Sequence, residues 1–249
     1  MTQKLLAVIL VVLMTGCKKD DDDKDIIVIE SSGNINTGVN AFRQLLGNTL
    51  NTTPGATGGR REVNWDAVPV ELLGKPLPPH FLNNTDADAP ASQQRGFEYE
   101  GIAAFQVSNS NFSEVNPQAA PSFATFSGSN SFTNTSTVLW DGSFEIPGQN
   151  VPASVSGFGM VFSDVDLANT SFIEFFNGDR SLGKFYVPVQ KAGSKLSFLG
   201  VYFKKERVTR IKVQHGNGVL NQGEKDISDG GSKDLVILDD FLYDEPVKK

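Results

Sequence analysis

From Ser154 to Phe241 the chain alternates short apolar stretches with turn residues. Several stretches are apolar at consecutive positions, which is typical of strands buried on both faces. The gaps between them lack helical periodicity, so the pattern favours antiparallel rather than parallel sheets. The strands predicted in this region are Val155–Phe162, Phe172–Phe176, Leu182–Val189, Leu196–Phe203, Thr209–Val213 and Leu235–Tyr243.

A hairpin and a helix complete the predicted fold. Asn177-Gly178 separates two predicted strands, and such a pair favours a tight hairpin turn because glycine and asparagine tolerate positive φ. Phe42, Leu45 and Leu46 are spaced as one face of a helix, predicted over Asn40–Leu50. We therefore expect an all-β chain: an antiparallel two-sheet β-sandwich of the jelly-roll type with one short N-terminal helix.

The N-terminus has the parts of an export signal. Lys4 precedes the unbroken apolar run Leu5–Met14, which is too short to cross a bilayer as a mature helix. The run ends in Leu13-Met14-Thr15-Gly16-Cys17, which resembles the lipobox of bacterial lipoproteins, although Met14 departs from the usual small aliphatic residue. The resemblance implies cleavage before Cys17, the one cysteine of the chain, and attachment of lipid to it. The alternative is an ordinary signal peptide with an unrelated cysteine.

A charged run follows the cysteine. Lys18–Asp25 holds three lysines and five aspartates, a composition typical of a solvated tether. It is similar to the acidic export signal of surface lipoproteins in Bacteroidota, which implies a cell-envelope protein anchored by lipid in the outer membrane and facing the cell surface. The expected organisation is a signal peptide at 1–16, a lipidated cysteine and flexible tether at 17–39, and a single β-sandwich domain at 40–249.

Charge and cysteine content exclude some functions. The net charge of the 249-residue chain is −7, which opposes a nucleic-acid partner because phosphates require a basic surface. One cysteine allows no intrachain disulfide.

From Asn40 onward the chain resembles a family of uncharacterised exported bacterial proteins, for which no activity is known to us. The resemblance rests on a set of short motifs, among them Gly59-Arg60-Arg61-Glu62-Val63-Asn64-Trp65-Asp66, Ser156-Gly157-Phe158-Gly159, Val161-Phe162-Ser163-Asp164-Val165-Asp166 and Asp239-Asp240-Phe241. More loosely, Leu238-Asp239-Asp240-Phe241 resembles the last strand of jelly-roll carbohydrate-binding modules.

Two tryptophans are candidates for ligand binding. Trp65 and Trp140 each precede an aspartate, so an indole could stack on a sugar while Asp66 or Asp141 accepts hydroxyl hydrogen bonds. Two polar neighbours of Trp65 complete the candidate set, namely Arg61 and Asn64. The alternative is that both indoles lie in the core and that Arg61 forms a structural ion pair with Glu62 or Asp66.

A calcium site is the one cofactor to consider. Asp164, Asp166 and Asn169 place hard oxygen ligands on one predicted turn. The alternative is that these side chains only make the turn's own hydrogen bonds.

The expected function is binding without catalysis, with a glycan or a surface protein as partner. The chain has no Gly-x-Ser-x-Gly elbow, and its one cysteine is the predicted site of lipid attachment, so we do not expect nucleophilic catalysis. A surface glycan hydrolase remains an alternative because its chemistry needs only two carboxylates, for which Glu224 and Asp226 are candidates. A structural envelope component is the second alternative.

Overall fold

The computed structural model describes residues 25–100 and 104–249. The predicted signal peptide 1–16, Cys17 and the tether to residue 24 lie outside the described residues. The described part has one α-helix, α1, Asn36–Leu46. Its strands are β1 Ile26–Ser32, β2 Arg60–Val63, β3 Phe97–Glu100, β4 Phe105–Ser108, β5 Ser131–Asn134, β6 Leu139–Phe144, β7 Ala153–Ser154, β8 Gly157–Ser163, β9 Phe172–Asn177, β10 Arg180–Tyr186, β11 Leu196–Phe203, β12 Arg210–Gln214, β13 Ile237–Asp244 and β14 Val247–Lys248.

Two antiparallel sheets form a sandwich, which confirms the predicted fold class. The larger sheet has the order β1-β11-β8-β13-β5-β4, and β2 also pairs with β13. The smaller sheet has the order β10-β9-β12-β6-β3. A short ladder joins β7 to β14. No helix in the described part of the chain is long and apolar enough to span a membrane.

Phenylalanine fills the space between the sheets. Phe158 and Phe241 of the larger sheet lie against Phe97 of the smaller one, with ring centroids less than 6 Å from Phe97. Both strands that carry them, β8 and β13, are buried along almost their whole length. Their outward side chains are buried because α1 covers the larger sheet from outside.

Two glycines make room for the helix. A Cβ atom on Gly200 would lie 2.7 Å from the Phe42 ring, and one on Gly159 would lie equally close to it. Phe42 therefore sits directly on the backbone of β8 and β11, and its ring also meets Phe198 edge-on at 5.6 Å. The large apolar residues of Gly157–Ser163 thus face the other sheet, and the glycines that alternate with them leave room for α1 on the outside.

The N-terminal boundaries differ from the sequence prediction. The strand β1 pairs along its whole length with β11, so residues 26–39 belong to the sandwich and not to the predicted tether. The helix begins at Asn36 rather than at Asn40, because Val39 joins Phe42 and Leu46 on the buried face. It ends at Leu46, where Gly47 has a φ of 129° and packs against the backbone of Gly59.

Other predicted strands also changed. The stretch Phe97–Val107 has alternating apolar residues (Phe97, Tyr99, Phe105 and Val107), a pattern that predicts one strand, but it contributes β3 to one sheet and β4 to the other. The predicted hairpin between Phe172–Phe176 and the following strand is confirmed, with Phe172, Glu174 and Phe176 on one face. Its two turn residues are Gly178 and Asp179, one position later than predicted, because Asn177 pairs with Arg180.

Candidate functional site

Both predicted stacking indoles lie in the core. Trp65 is 2% exposed and stacks on Phe132 with a centroid distance of 4.1 Å. Its Nε1 donates to the carbonyl oxygen of Asp239 at 3.3 Å. Trp140 is 3% exposed and meets Phe105 edge-on. The core interpretation of the two tryptophans is confirmed, and neither ring offers a face to a sugar.

The polar neighbours of Trp65 order a surface loop. Asp66 Oδ1 accepts hydrogen bonds from the backbone N–H groups of Ser129 and Asn130 at 3.0 and 3.2 Å. Asn64 Nδ2 donates to Asp66 Oδ2 at 3.2 Å. Gly128 is pressed against this carboxylate, since a Cβ there would lie 1.6 Å from Asp66 Oδ2. The hydrogen bonds of Asn64 and Asp66 hold this loop in place. Ligand binding by the two residues stays a prediction.

Arg61 forms the structural ion pair expected of it, but with another partner. Its Nε and Nη2 atoms donate to the two carboxylate oxygens of Glu245, each at 2.8 Å. Both side chains are almost fully buried. Asn51 Nδ2 also donates to Glu245, and Arg61 Nη2 donates to the carbonyl oxygen of Thr53. This network ties the loop before β2 to the chain end after β13 and keeps Arg61 away from solvent.

Asp141, the last of these candidates, faces solvent on the smaller sheet. We define the outer face as the solvent side of β10, β9, β12 and β6. Strand pairing arranges its side chains in rows that cross the four strands. The aromatic row consists of Tyr186, Phe172, Gln214 and Leu139. The charged row consists of Lys184, Glu174, Lys212 and Asp141.

The aromatic row presents an apolar surface to solvent. Tyr186 is 44% exposed and Leu139 is 42% exposed, while Phe172 lies between neighbours and is nearly buried. The Tyr186 and Phe172 rings meet edge-on with centroids 6.0 Å apart. Gln214 Nε2 donates to the carbonyl oxygens of Thr170 and Gly216, which fixes the orientation of its amide. At about 4.8 Å between strands the row is roughly 14 Å long.

Cationic side chains lie beside these rings. The Lys184 ammonium is 4.1 Å from the centroid of Phe172, and the Arg210 guanidinium is 3.8 Å from that of Phe176. Arg210 also bonds to Asp141, and Lys184 lies 3.9 Å from Glu174. The outer face thus combines ring surface with nearly balanced charges, which suits a neutral ligand that has apolar faces and hydroxyl groups.

The structure brings two of the predicted calcium ligands together with a third carboxylate. Asp164 and Asp166 lie with Asp226, and one carboxylate oxygen of each is within 4.8 Å of the others. Asp226 comes from the connection between β12 and β13, and the sequence pattern gave no sign of this contact. Asn169 is exposed and has a φ of 66°, and its part in calcium binding stays a prediction.

A second carboxylate pair is buried in a β-bulge. The pairing of β13 with β8 shifts by one residue between Leu238 and Phe241, so both Asp239 and Asp240 lie opposite one residue of β8, Val161. Burial, together with the adjacent carboxylate of Asp240, raises the pKa of Asp239 to about 9. Asp239 accepts from the backbone N–H of Phe126, and Asp240 accepts from Ser127 Oγ at 2.6 Å. Both are at most 1% exposed, so this pair is not offered to a substrate.

Glu224 and Asp226, the acidic pair considered for hydrolysis, do not form a cleft of paired carboxylates. Asp226 is fully buried, and its carboxylate accepts from the backbone N–H groups of Ser228 and Leu235 at 2.9 and 2.8 Å. Glu224 lies outside the group of acidic residues around Asp226. The Asp226 carboxylate is thus held inside the protein and is not exposed to a glycan.

Comparison with known proteins gives limited information. No protein-family model matches the chain, and no curated protein matches it in sequence. Solved structures similar to it include a glutamate-to-arginine mutant of a carbohydrate binding module of family 29, at 11% identity and a TM-score of 0.29. A tyrosine-to-alanine mutant of the module CBM29-2 is similar at 9% identity and a TM-score of 0.27. In both cases 66% of this chain and 89% of the other are covered. Similarity at this level says nothing about what this chain binds.

Proposed function

We propose that this chain is a non-catalytic binding module that recognises a neutral glycan on the outer face of its smaller sheet. The observation that supports the proposal most is the exposed ring of Tyr186 beside Phe172, in a row of side chains bordered by charged and amide groups. Sugars present apolar C–H faces and a rim of hydroxyls, and this surface offers ring faces next to hydrogen-bonding groups.

The charged row determines the kind of glycan. Lys184 and Lys212 alternate with Glu174 and Asp141, so the row carries no net charge. A polyanion would meet two carboxylates here and the overall charge of −7 elsewhere. A neutral chain meets both hydrogen-bond donors and acceptors in this row. The proposed ligand is therefore an uncharged oligosaccharide that lies along the aromatic row.

Tyr186 is the residue to change first. Tyr186→Ala removes the exposed ring and leaves the core intact. We therefore expect the dissociation constant of the glycan to rise at least tenfold, which corresponds to a loss of about 1.4 kcal/mol in binding free energy. Tyr186→Phe keeps the ring and should stay within about threefold of the native protein. Val70→Ala, which changes a residue that is 77% exposed outside the outer face, should have no effect. The measurement is a glycan array followed by calorimetric titration of the glycans that bind.

Three results would count against the proposal. Release of reducing sugar from a bound glycan would favour the hydrolase alternative. Absence of binding across the array would favour the structural envelope component. Equal affinity of the native protein and Tyr186→Ala would show that the glycan binds somewhere else.

We also propose that the module is carried on a lipid anchor at Cys17, exposed at the outer surface of a bacterial cell envelope. The support is the sequence alone, in which the one cysteine stands where the apolar run ends. Each buried methylene of an acyl chain contributes about 0.8 kcal/mol, so a cysteine that carries several chains holds a protein in a membrane almost permanently.

Cys17→Ser tests the anchor. The variant should move from the membrane fraction to the soluble fraction, and the native protein should incorporate labelled fatty acid while the variant does not. A variant that stays in the membrane, together with a native protein that takes up no label, would contradict the anchor but leave the glycan proposal intact.

A further inference from the structure

Three aspartates from distant parts of the chain meet at one end of the sandwich. Asp164 and Asp166 follow β8, and Asp226 begins the short 3-10 helix Ile227–Asp229 before β13. One oxygen from each carboxylate lies within 4.8 Å of the others. Asp164 is 2% exposed and Asp226 is fully buried, so water can compensate their charges only weakly.

Several oxygen atoms at this place have no hydrogen-bond partner. Asp164 Oδ2 and Asp166 Oδ2 are buried and unpartnered, and so is Gln190 Oε1 beside them. Gln190 Nε2 donates to Oδ1 of both aspartates, at 2.9 Å in the case of Asp164, which leaves the other carboxylate oxygens free. Buried acceptors without donors are rare in folded proteins, and a cation is one of the few groups that can satisfy several of them at once.

The charges of the group are also uncompensated. None of the three carboxylates forms a salt bridge with a residue in the described ranges. The geometry therefore collects negative charge that no described basic side chain balances.

The backbone around the group is held without a cation. Asp234 accepts from the backbone N–H groups of Asp166 and Leu167 at 3.0 and 3.2 Å, and from Thr170 Oγ1. Asp226 is held by Ser228 and by the backbone N–H of Leu235. Such outer contacts orient ligating carboxylates in metal sites and reduce the entropy lost on binding.

We infer that Asp164, Asp166 and Asp226 form a binding site for Ca²⁺ that joins the β8–β9 connection to the segment before β13. Calcium–oxygen distances of 2.3–2.6 Å place opposite ligands about 4.6–5.2 Å apart, a span that accommodates oxygens within 4.8 Å of one another. The ligands of Mg²⁺ are closer, about 4.0–4.2 Å across, and require a regular octahedron. Ca²⁺ accepts an irregular set of oxygen ligands, which suits three carboxylates from two separate connections, so Ca²⁺ is the ion we propose.

The site lies next to the outer face. The β8–β9 connection ends at Thr170 and Ser171, and Thr170 receives the hydrogen bond that orients Gln214. Ser171 Oγ accepts from the backbone N–H of Gly216 at 2.8 Å, after β12. Calcium thus stabilises the end of the sheet that carries the aromatic row, whatever that row binds.

The test compares thermal unfolding of the purified protein in EDTA and in Ca²⁺, with calorimetric titration of Ca²⁺ into the EDTA-stripped protein. A hundredfold excess of Ca²⁺ over its dissociation constant should raise the Tm by roughly 5–10 °C, and Mg²⁺ at the same concentration should not. Asp166→Asn should abolish this response and should itself raise the Tm in EDTA, because it removes one repelling charge.

A matched control separates the site from general charge effects. Asp229→Asn changes an exposed carboxylate in the connection before β13 and should keep the full response to Ca²⁺. Asp164→Asn gives the same readout as Asp166→Asn if the latter does not fold. Identical unfolding curves of the native protein in Ca²⁺ and EDTA, or an undiminished response in the variant, would overturn the inference.

Discussion

Replacing Arg61 by Met should lower the free energy of unfolding by about 3–5 kcal/mol, because it leaves the buried carboxylate of Glu245 without its cation. Both side chains of this pair are at most 2% exposed, and two hydrogen bonds of 2.8 Å join them. After the substitution only Asn51 and weaker contacts remain for Glu245. Chemical denaturation of the native protein and the variant measures the difference.

Two further variants test the cause of that loss. Glu245→Gln in the Arg61→Met background removes the stranded charge, so it should recover a large part of the lost stability. Arg180→Ala breaks an ion pair with Glu206 on the surface, where the Arg180 side chain is 59% exposed. This variant should lower the free energy of unfolding by at most about 1 kcal/mol. A loss of less than 1 kcal/mol for Arg61→Met would contradict the structural role given to this pair.

Asp239→Asn should stabilise the protein at neutral and alkaline pH. Burial raises the pKa of Asp239 to about 9, far above the value near 3.9 in an unfolded chain. The folded state therefore keeps a proton that the unfolded chain releases, so the free energy of unfolding falls as the pH rises from about 4 through about 9. Asparagine resembles the protonated acid, and we expect a gain of about 2–4 kcal/mol at pH 7.

The pH dependence distinguishes this explanation from a general gain in stability. Native protein and Asp239→Asn should have nearly equal stability at pH 4 and should diverge as the pH rises. Asp88→Asn alters an exposed carboxylate and should follow the native curve throughout. Parallel curves for the native protein and Asp239→Asn between pH 4 and pH 8 would show that Asp239 ionises without cost in the folded state.

The sequence predicted the parts of the fold that local patterns control. The strand Leu196–Phe203 was found at its predicted bounds because burial on both sides leaves a continuous apolar run. The strands predicted at Val155–Phe162 and Leu235–Tyr243 were found one or two residues later at each end. The face assignment in β9 was right because side chains alternate strictly along a strand. The strands β2 and β5 were missed because each has only four residues, most of them polar, which is too few to show an apolar period.

The candidate sites could not be predicted from the sequence, because their contacts join residues that are far apart along the chain. Glu245 lies 184 positions from Arg61, and Asp226 joins Asp164 and Asp166 only because the fold brings two connections together. Trp65 looked like a ligand-binding residue because of its polar neighbours, but the strands around it bury the ring. The aromatic row combines residues of four strands, so it becomes visible only when their register is known.

The central claim is that the outer face binds glycan, and mapping of a bound glycan by backbone amide chemical shifts tests it most directly. Titration of a glycan that the array identifies should shift the amides of Phe172, Lys184, Tyr186 and Gln214 and leave those of β1 and α1 unchanged. Shifts confined to the larger sheet or to the loops around Asp66, with β9, β10 and β12 unaffected, would contradict the claim.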